Sequence, residues 1–173
     1  MKSTRALLSV VCASGFLIVA SARAADESGI DAKTAFERVK SLAGEWKSEH
    51  KDGGHDGKVI YRITSNGFTV MQTQLPGTDH EMVSMYHVDG DNLLLTHYCA
   101  VGNQPRLKLD KKASTPNELK FVFDGGTNLN ADKDMHIHSL RTVIKDKGHI
   151  EEEWEAYQEG KKIATEKFTL SRS

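Results

Sequence analysis

The sequence predicts an all-β fold: an antiparallel up-and-down barrel of about ten strands with one N-terminal helix. Three observations carry this prediction. After Gly44 no stretch shows a helical period, short alternating apolar and polar runs replace it, and turn-forming residues interrupt these runs about every ten residues. Runs joined by such short turns pair as antiparallel neighbours. An open meander would expose two edges, so we expect the sheet to close around a small lumen.

Length and composition favour one small globular domain. The chain has 173 residues, of which 38% are hydrophobic and 27% are charged. These values exclude a multidomain enzyme, an integral bundle of membrane helices and a disordered tail. No repeat or low-complexity linker divides the chain, so we expect a single barrel domain over residues 25–173.

Residues 1–24 have the pattern of a signal peptide. Lys2 and Arg5 form a basic start, residues 6–20 form an apolar stretch, and Ala22-Arg23-Ala24 supplies the small-x-small pattern that signal peptidase accepts. We therefore expect cleavage near Ala24 and a periplasmic or secreted protein.

Two other interpretations of this segment are less suitable. A membrane anchor needs about 20 apolar residues, and this stretch is shorter. A lipoprotein anchor would need a characteristic lead sequence before its cysteine, and Cys12 has none. We therefore expect no stable membrane anchor.

The processed chain is mildly acidic and carries one thiol. Its 149 residues hold 20 basic side chains, three fewer than the full chain, against 24 acidic ones, which gives a net charge of −4. Without a basic patch, nucleic acids and anionic membrane surfaces are poor partners. Cys99 is the one remaining cysteine, so no internal disulfide can form.

One helix precedes the strands. Asp31 is a suitable N-cap and Gly44 a suitable C-cap. The apolar residues between them that follow helical spacing are Ala35, Val39, Leu42 and Ala43.

Nine breaks rich in Gly, Asn, Asp and Pro delimit the strands. The predicted strands are 45–51, 58–65, 68–75, 80–88, 93–100, 106–111, 118–124, 134–145, 149–157 and 161–171.

Two hairpins set the register of the first half. A type I′ turn at Asn66-Gly67 would pair 61 with 72, and a two-residue turn at Gly90-Asp91 would pair 84 with 97. The inner face then contains Val59, Tyr61, Ile63, Phe68, Val70, Gln72, His80, Met82, Ser84, Tyr86, Val88, Leu93, Leu95, His97 and Cys99.

Three-residue loops at 146–148 and 158–160 set the register of the last strands. Glu152 and Glu166 would then pair inside the barrel, although a run such as EEEWE is more typical of a solvated strand. The inner face contains Leu107, Leu109, Leu119, Phe121, Phe123, His136, His138, Leu140, Thr142, Ile144, Ile150, Glu152, Trp154, Ala156, Ala164, Phe168 and Leu170.

The two ends of the barrel should differ. The first strand begins and the last strand ends beside the helix, so we expect that end to be plugged. The larger loops lie at the other end, which forms the mouth. The chemically versatile side chains placed near the mouth are His80, Met82, Cys99, His136 and His138.

Gly44-Glu45-Trp46, after the helix and at the start of the first strand, resembles the G-x-W signature of lipocalins and their calycin relatives. In that superfamily the Trp closes the barrel floor and packs against an Arg near the end of the last strand, a place that Arg172 matches. The T-D-Y-type lipocalin motif has no counterpart, and ten strands are more similar to fatty-acid-binding and nitrobindin-like barrels. The segment 86–106 resembles one in secreted bacterial lipocalin-like proteins. The resemblance implies a binding barrel and no catalytic residues.

A lumen of this composition suits a small lipophilic molecule. We expect aromatic residues such as Phe121 and Phe123 to stack on its body, and the amides of Asn103 and Gln104 to orient its polar head. The predicted ligand-binding residues are Tyr61, Gln72, Tyr86, His97, Cys99, Asn103, Gln104, His138 and Trp154.

Three alternatives remain open. The imidazole, thiolate and thioether groups of His80, Met82, His97, Cys99, His136 and His138 could bind copper or zinc. A histidine could also hold a haem, as nitrobindin-like barrels do. A carboxylate pair would favour an enzyme.

A structural module would need an exposed apolar patch, and the predicted outward residues Met71, Val83, Ile137 and Val143 are too scattered to form one. The sequence identifies no cofactor and no oligomeric state.

Overall fold

The protein folds as a closed ten-stranded antiparallel barrel, as the sequence predicts. The computed structural model describes residues 29–48 and 57–173. Every strand pairs with its neighbours in the chain, and the first strand pairs with the tenth. The predicted signal peptide, the end of the predicted first strand at 49–51 and most of the turn at 52–57 lie outside the described residues.

The described part of the chain contains one α-helix and ten strands, with a short 3-10 turn at Ser65–Gly67. Their bounds are α1 Ala32–Lys40, β1 Gly44–Ser48, β2 Lys58–Thr64, β3 Thr69–Gln74, β4 Met82–Asp89, β5 Asn92–Tyr98, β6 Gln104–Leu109, β7 Glu118–Thr127, β8 His136–Ile144, β9 His149–Gln158 and β10 Lys161–Arg172.

Helix α1 lies against one end of the barrel and contacts β2, β4 and β5. Asp31 caps its start by accepting a hydrogen bond from the Thr34 amide at 2.9 Å, as predicted. The predicted end is wrong, because Ser41 caps the helix and Gly44 opens β1 instead. The helix buries an apolar face made of Ala32, Ala35, Phe36 and Val39.

Trp46 forms the floor of the barrel. Its side chain is completely buried, and its indole N–H donates to the Leu42 carbonyl at 2.8 Å. In the sheet Trp46 pairs with Arg172, whose guanidinium carbon lies 4.4 Å from the centre of the indole ring. This cation–π contact joins the first strand to the last at the point where the barrel closes.

Arg172 also binds the chain that leads from the helix into β1. Its terminal guanidinium nitrogens donate to the carbonyls of Ala43 at 2.7 Å and Ser41 at 3.0 Å, and its Nε donates to the backbone carbonyl of Lys147 at 2.9 Å. Gly44 has a φ of +138°, and a Cβ there would lie 2.6 Å from the guanidinium. The positive φ therefore favours glycine at the start of β1, and any side chain there would also displace the guanidinium of Arg172.

The strand registers agree with the turn chemistry in most hairpins. Tyr61 pairs with Gln72, and Ser84 pairs with His97. The hairpin of β8 and β9 likewise has the predicted register, in which Ile144 pairs with Ile150. These pairings follow from residues of positive φ in the turns, such as Asn66 at 52°.

The last hairpin differs from the prediction. Glu159 and Gly160 form a two-residue turn with positive φ, and a bulge follows in β10. Together these two differences shift the register by two residues, so the inner and outer faces keep their predicted members. Glu152 pairs with Phe168 rather than with Glu166, which is exposed, so the predicted carboxylate pair is wrong.

Four residues predicted to face the lumen are exposed instead. Ile63, Phe68 and Val88 lie at the helix end of their hairpins, beyond the packed interior, and Phe68 is 74% exposed. His80 is exposed because it lies in the turn before β4 begins. Alternation of side chains predicts a face but does not show where the interior ends.

Ile137 was predicted to lie on the outer face of the barrel, but its side chain packs against the core. The register between β8 and β9 shifts between Ile137 and Ser139, which leaves His138 as the extra residue of a bulge. A bulge inserts one residue and reverses the alternation beyond it, and nothing in the sequence marks this one.

The interior is otherwise filled by the predicted residues. The fully or nearly fully buried members include Leu93, Leu95, Leu107, Leu109, Leu119, Phe121, Leu140, Ile150 and Leu170, with Phe123 and Phe168 packed against them. No helix in the described ranges is long and apolar enough to cross a membrane.

Replacing Arg172 by Ala should lower the free energy of unfolding by about 2–3 kcal/mol, because three charge-assisted hydrogen bonds and the contact with Trp46 are lost. Urea denaturation would measure the change. The control Lys161→Ala, at the exposed opposite end of β10, should change it by less than about 0.5 kcal/mol. Equal effects of the two substitutions would contradict the role of Arg172.

Candidate functional site

A small apolar cavity occupies the mouth half of the lumen. Its volume is about 80 Å³, and it is partly open to solvent. No Lys or Arg is among the described residues that line it, and Glu166 is its one charged lining residue. The lining consists of Gly57, Val59, Gln74, Leu75, Met82, His97, Ile137, Trp154, Glu166 and Phe168.

His97 is the polar group of this cavity with an unused hydrogen-bonding atom. It lies on β5 opposite Ser84 of β4, and its side chain is 1% exposed. Its Nδ1 is hydrogen-bonded to the Ser84 hydroxyl at 2.9 Å, and its ring lies 5.2 Å from that of Trp154. Its Nε2 is buried and has no partner among the described residues. Buried polar atoms are rarely left in this state.

Burial also decides the charge of His97. It lowers the pKa of the imidazole to about 4, so the ring is neutral at physiological pH. A neutral imidazole has one donor and one acceptor nitrogen, and the rotatable Ser84 hydroxyl can satisfy either state of Nδ1. Nε2 can therefore offer a donor or an acceptor to a molecule in the cavity.

A buried polar network lies next to the cavity and is centred on Glu152. The side chain of Glu152 is 1% exposed and accepts hydrogen bonds from the Tyr61 hydroxyl, from the Gln72 amide at 2.8 and 3.0 Å, and from the Trp154 indole at 3.0 Å. The Tyr86 hydroxyl donates to Oε1, the side-chain amide oxygen of Gln72, at 3.3 Å. Trp154 thus connects the cavity to the network, since one of its faces contacts His97.

The network contains a carboxyl group that has no cationic partner within the described part of the chain. Burial raises the pKa of Glu152, although the hydrogen bonds from Tyr61, Trp154 and Gln72 act in the opposite direction. Burial, followed by the nearby Glu152, also raises the pKa of Tyr61 well above its usual value. None of the ion pairs within the described ranges includes Glu152. The electrostatic environment of the lumen therefore disfavours a second negative charge.

The structure brings five of the predicted ligand-binding residues together in this part of the lumen. His97 and Trp154 line the cavity, and the other three form the network beside it. These five residues are Tyr61, Gln72, Tyr86, His97 and Trp154.

Asn103 and Gln104 do not line the cavity, although the sequence predicts that they orient a ligand. The Asn103 amide donates to the Met135 carbonyl at 2.7 Å. The Gln104 amide donates to the Gly102 carbonyl at 2.9 Å and accepts from the Thr127 hydroxyl at 2.9 Å. Both side chains therefore connect loops at the mouth.

The predicted metal set is distributed over different places. Met82 and His97 line the cavity, whereas His80 and Cys99 do not. In the part of the chain that the structure describes, no three His, Cys, Asp or Glu side chains are grouped so that they could hold a metal ion.

His136 and His138 form a separate pair near the mouth. His136 donates from Nδ1 to the Asp134 carbonyl at 2.9 Å, and its Nε2 lies 3.1 Å from Nδ1 of His138. The His138 ring stacks on Tyr157 with 4.1 Å between ring centres, and the ring of Phe123 lies 4.6 Å from that of His136. Burial and the neighbouring His136 lower the pKa of His138.

Sequence reasoning missed the roles of Ser84 and Ile137. Ser84 could have been found, because the Gly90-Asp91 turn predicts that it pairs with His97. Ile137 could not, because its inward position depends on the unpredicted bulge at His138.

Comparisons with known proteins do not assign this chain to a family, so its function has to be inferred from the geometry of the site. The sequence matches no protein-family model. A comparison with curated proteins finds no significant match.

The pH dependence of stability should reveal the buried neutral His97. The unfolded chain takes up a proton on this residue below about pH 6.5, whereas the folded chain resists protonation until about pH 4. The free energy of unfolding should therefore fall by roughly 3 kcal/mol as the pH falls from 6.5 to 4.

Urea denaturation of the wild type and of His97→Phe over this pH range tests the prediction. The difference between the two chains isolates His97, because Glu152 titrates in both. The exposed-residue variant His80→Gln should retain the wild-type loss. An equal loss in His97→Phe and in the wild type would contradict the assignment.

Proposed function

We propose that this protein is an exported small-molecule-binding barrel that holds a largely apolar ligand in its lumen. One observation carries the proposal: an apolar cavity is lined by His97, whose buried nitrogen Nε2 has no hydrogen-bond partner among the described residues. A ligand with an apolar body and a complementary polar group would satisfy both features of the cavity.

Energetic arguments support a ligand at this place. A buried polar atom without a partner costs about 1–3 kcal/mol, and a ligand that bonds to His97 Nε2 would recover part of this cost. Each Å² of apolar surface that the ligand buries against residues such as Ile137 and Phe168 would add about 25 cal/mol.

The size of the cavity supports a small ligand. Its volume of about 80 Å³ is below that of typical pockets for drug-sized molecules, about 300–1,000 Å³. In the described arrangement of side chains it accommodates a molecule of a few heavy atoms, or the apolar end of a longer lipophilic molecule that enters through the opening. A haem would need far more space.

The resemblance to lipocalin-like secreted proteins adds support from the barrel floor. Trp46 and Arg172 meet as the G-x-W resemblance implies. Together with the predicted signal peptide at residues 1–24, this favours a binding protein of the periplasm or the extracellular space. The charge of −4 on the processed chain favours neither nucleic acid nor an anionic membrane as partner.

A second candidate function is the binding of a divalent transition metal by His136 and His138. The observation that favours it is the 3.1 Å separation of their facing nitrogens, which two metal–nitrogen bonds of about 2.0–2.1 Å can span. The Asp134 carbonyl orients His136 as outer-shell partners do in metal sites. Metal analysis of the purified protein tests this candidate, and the variant His138→Gln should lose any bound metal.

Filling the cavity should displace the ligand. Protein purified from its native source should carry an additional organic mass in native mass spectrometry, and Ile137→Phe should retain at least tenfold less of it, because the larger ring occupies the cavity. The matched control Val143→Phe introduces the same ring on the outer face of the same strand and should retain the mass.

Two results would contradict this proposal. One is an empty wild-type protein that also binds none of the small probes described below. The other is equal retention of the ligand by Ile137→Phe and Val143→Phe.

A further inference from the structure

We infer that the ligand of the lumen cavity is an uncharged molecule that presents a single hydrogen-bonding group, a hydroxyl or a carbonyl, to His97. This inference rests on the proposed function and specifies the chemical class of the ligand. It excludes the carboxylates and ammonium compounds that other binding barrels could accept.

The walls of the cavity exclude an anion. Among the described lining residues there is no Lys or Arg, and the one charged side chain, Glu166, is itself negative. A second carboxyl, that of Glu152, lies behind Trp154 and has no cationic partner in the described ion pairs. A carboxylate ligand would lose its hydration beside two acidic side chains and gain at most one hydrogen bond from the neutral imidazole, with no cation among the described lining residues.

The same walls disfavour an ammonium ion. An alkylammonium group has three N–H donors, and each needs an acceptor when it is buried. Of the polar side-chain atoms at the cavity, His97 Nε2 is the buried one without a partner in the described structure. The oxygens of Glu152 already accept from Tyr61, Gln72 and Trp154. Glu166 also lines the cavity, but it is exposed and screened by water, so an ammonium buried beside His97 would find there one buried acceptor without a described partner, the imidazole nitrogen.

A hydroxyl or a carbonyl fits the one free position. The hydrogen bond between Ser84 and His97 Nδ1 holds the imidazole in place, and the Ser84 hydroxyl can donate or accept. A hydroxyl ligand can consequently bind either tautomer of His97, while a carbonyl ligand selects the tautomer with a proton on Nε2. The neutral state of the imidazole is in accord with an uncharged partner.

Four probes of nearly equal size separate these classes: 1-butanol, pentane, butyrate and n-butylammonium. Their affinities for the full processed chain at pH 7 can be measured by ligand-observed NMR. We expect 1-butanol to bind roughly threefold to tenfold more tightly than pentane, because one hydrogen bond to His97 is gained. We expect butyrate and n-butylammonium to bind at least tenfold more weakly than 1-butanol.

Two variants identify the groups responsible. His97→Phe should remove the preference for 1-butanol over pentane, and the control His80→Gln should retain it. Glu152→Gln replaces the acidic group by an amide that cannot ionise, at nearly constant volume, so it should raise the affinity for butyrate several-fold and leave that for 1-butanol within about twofold. If His97→Phe fails to fold, the wild-type series and Glu152→Gln still decide the question.

The possible results distinguish this inference from the proposed function. Preference for butyrate or n-butylammonium, or equal binding of 1-butanol and pentane, overturns the inference and leaves a lumen-binding protein. Failure of all four probes to bind counts against the cavity as a binding site and overturns both. Preference for 1-butanol that disappears in His97→Phe supports both.

Discussion

The contact between Arg172 and Trp46 is the interaction on which the barrel depends. A sheet of ten strands closes only if its first and last members meet in register, and these two residues pair at that seam. The same guanidinium binds the carbonyls of Ser41 and Ala43, so it also fixes the chain between helix and barrel. One side chain at the end of the sequence thus connects the helix, the floor and both terminal strands.

The lumen combines a packed apolar core with a buried polar network. The core residues are mostly aliphatic and aromatic, and in the Glu152 network each described hydrogen bond to the carboxyl group comes from a neutral donor. The cavity lies beyond Trp154. A buried carboxyl group bonded by neutral donors has no neighbouring positive charge to compensate it. The network therefore makes the adjoining cavity unfavourable for anions, although it does not contact the ligand. Specificity can in this way come from a group outside the binding site.

Turn chemistry explains how much could be predicted. Asn66-Gly67 and Gly90-Asp91 adopt turns of known residue count, so the pairings of Tyr61 with Gln72 and of Ser84 with His97 followed from the sequence. The inward position of Glu152 also followed from its register, but its burial in a network of neutral donors did not, since the run EEEWE is equally compatible with a solvated strand. The cavity itself depends on Ile137, and the bulge beside it arises from tertiary packing. Local rules therefore predicted the frame of the site, while long-range packing determined its shape.

The last hairpin has a consequence for how this protein can vary in length. Its two-residue turn at Glu159-Gly160 and the bulge between Lys162 and Ala164 each displace the register, and their combined displacement is an even number. Side-chain alternation therefore reaches Phe168 and Leu170 with the correct face inward. In a related chain of the same length that closed the bulge by sliding β10 one residue along β9, this half of β10 would turn its inner face outward. Loss of the unpaired bulge residue itself would leave Phe168 paired with Glu152, so this strand can shorten at the bulge without a compensating change in the turn.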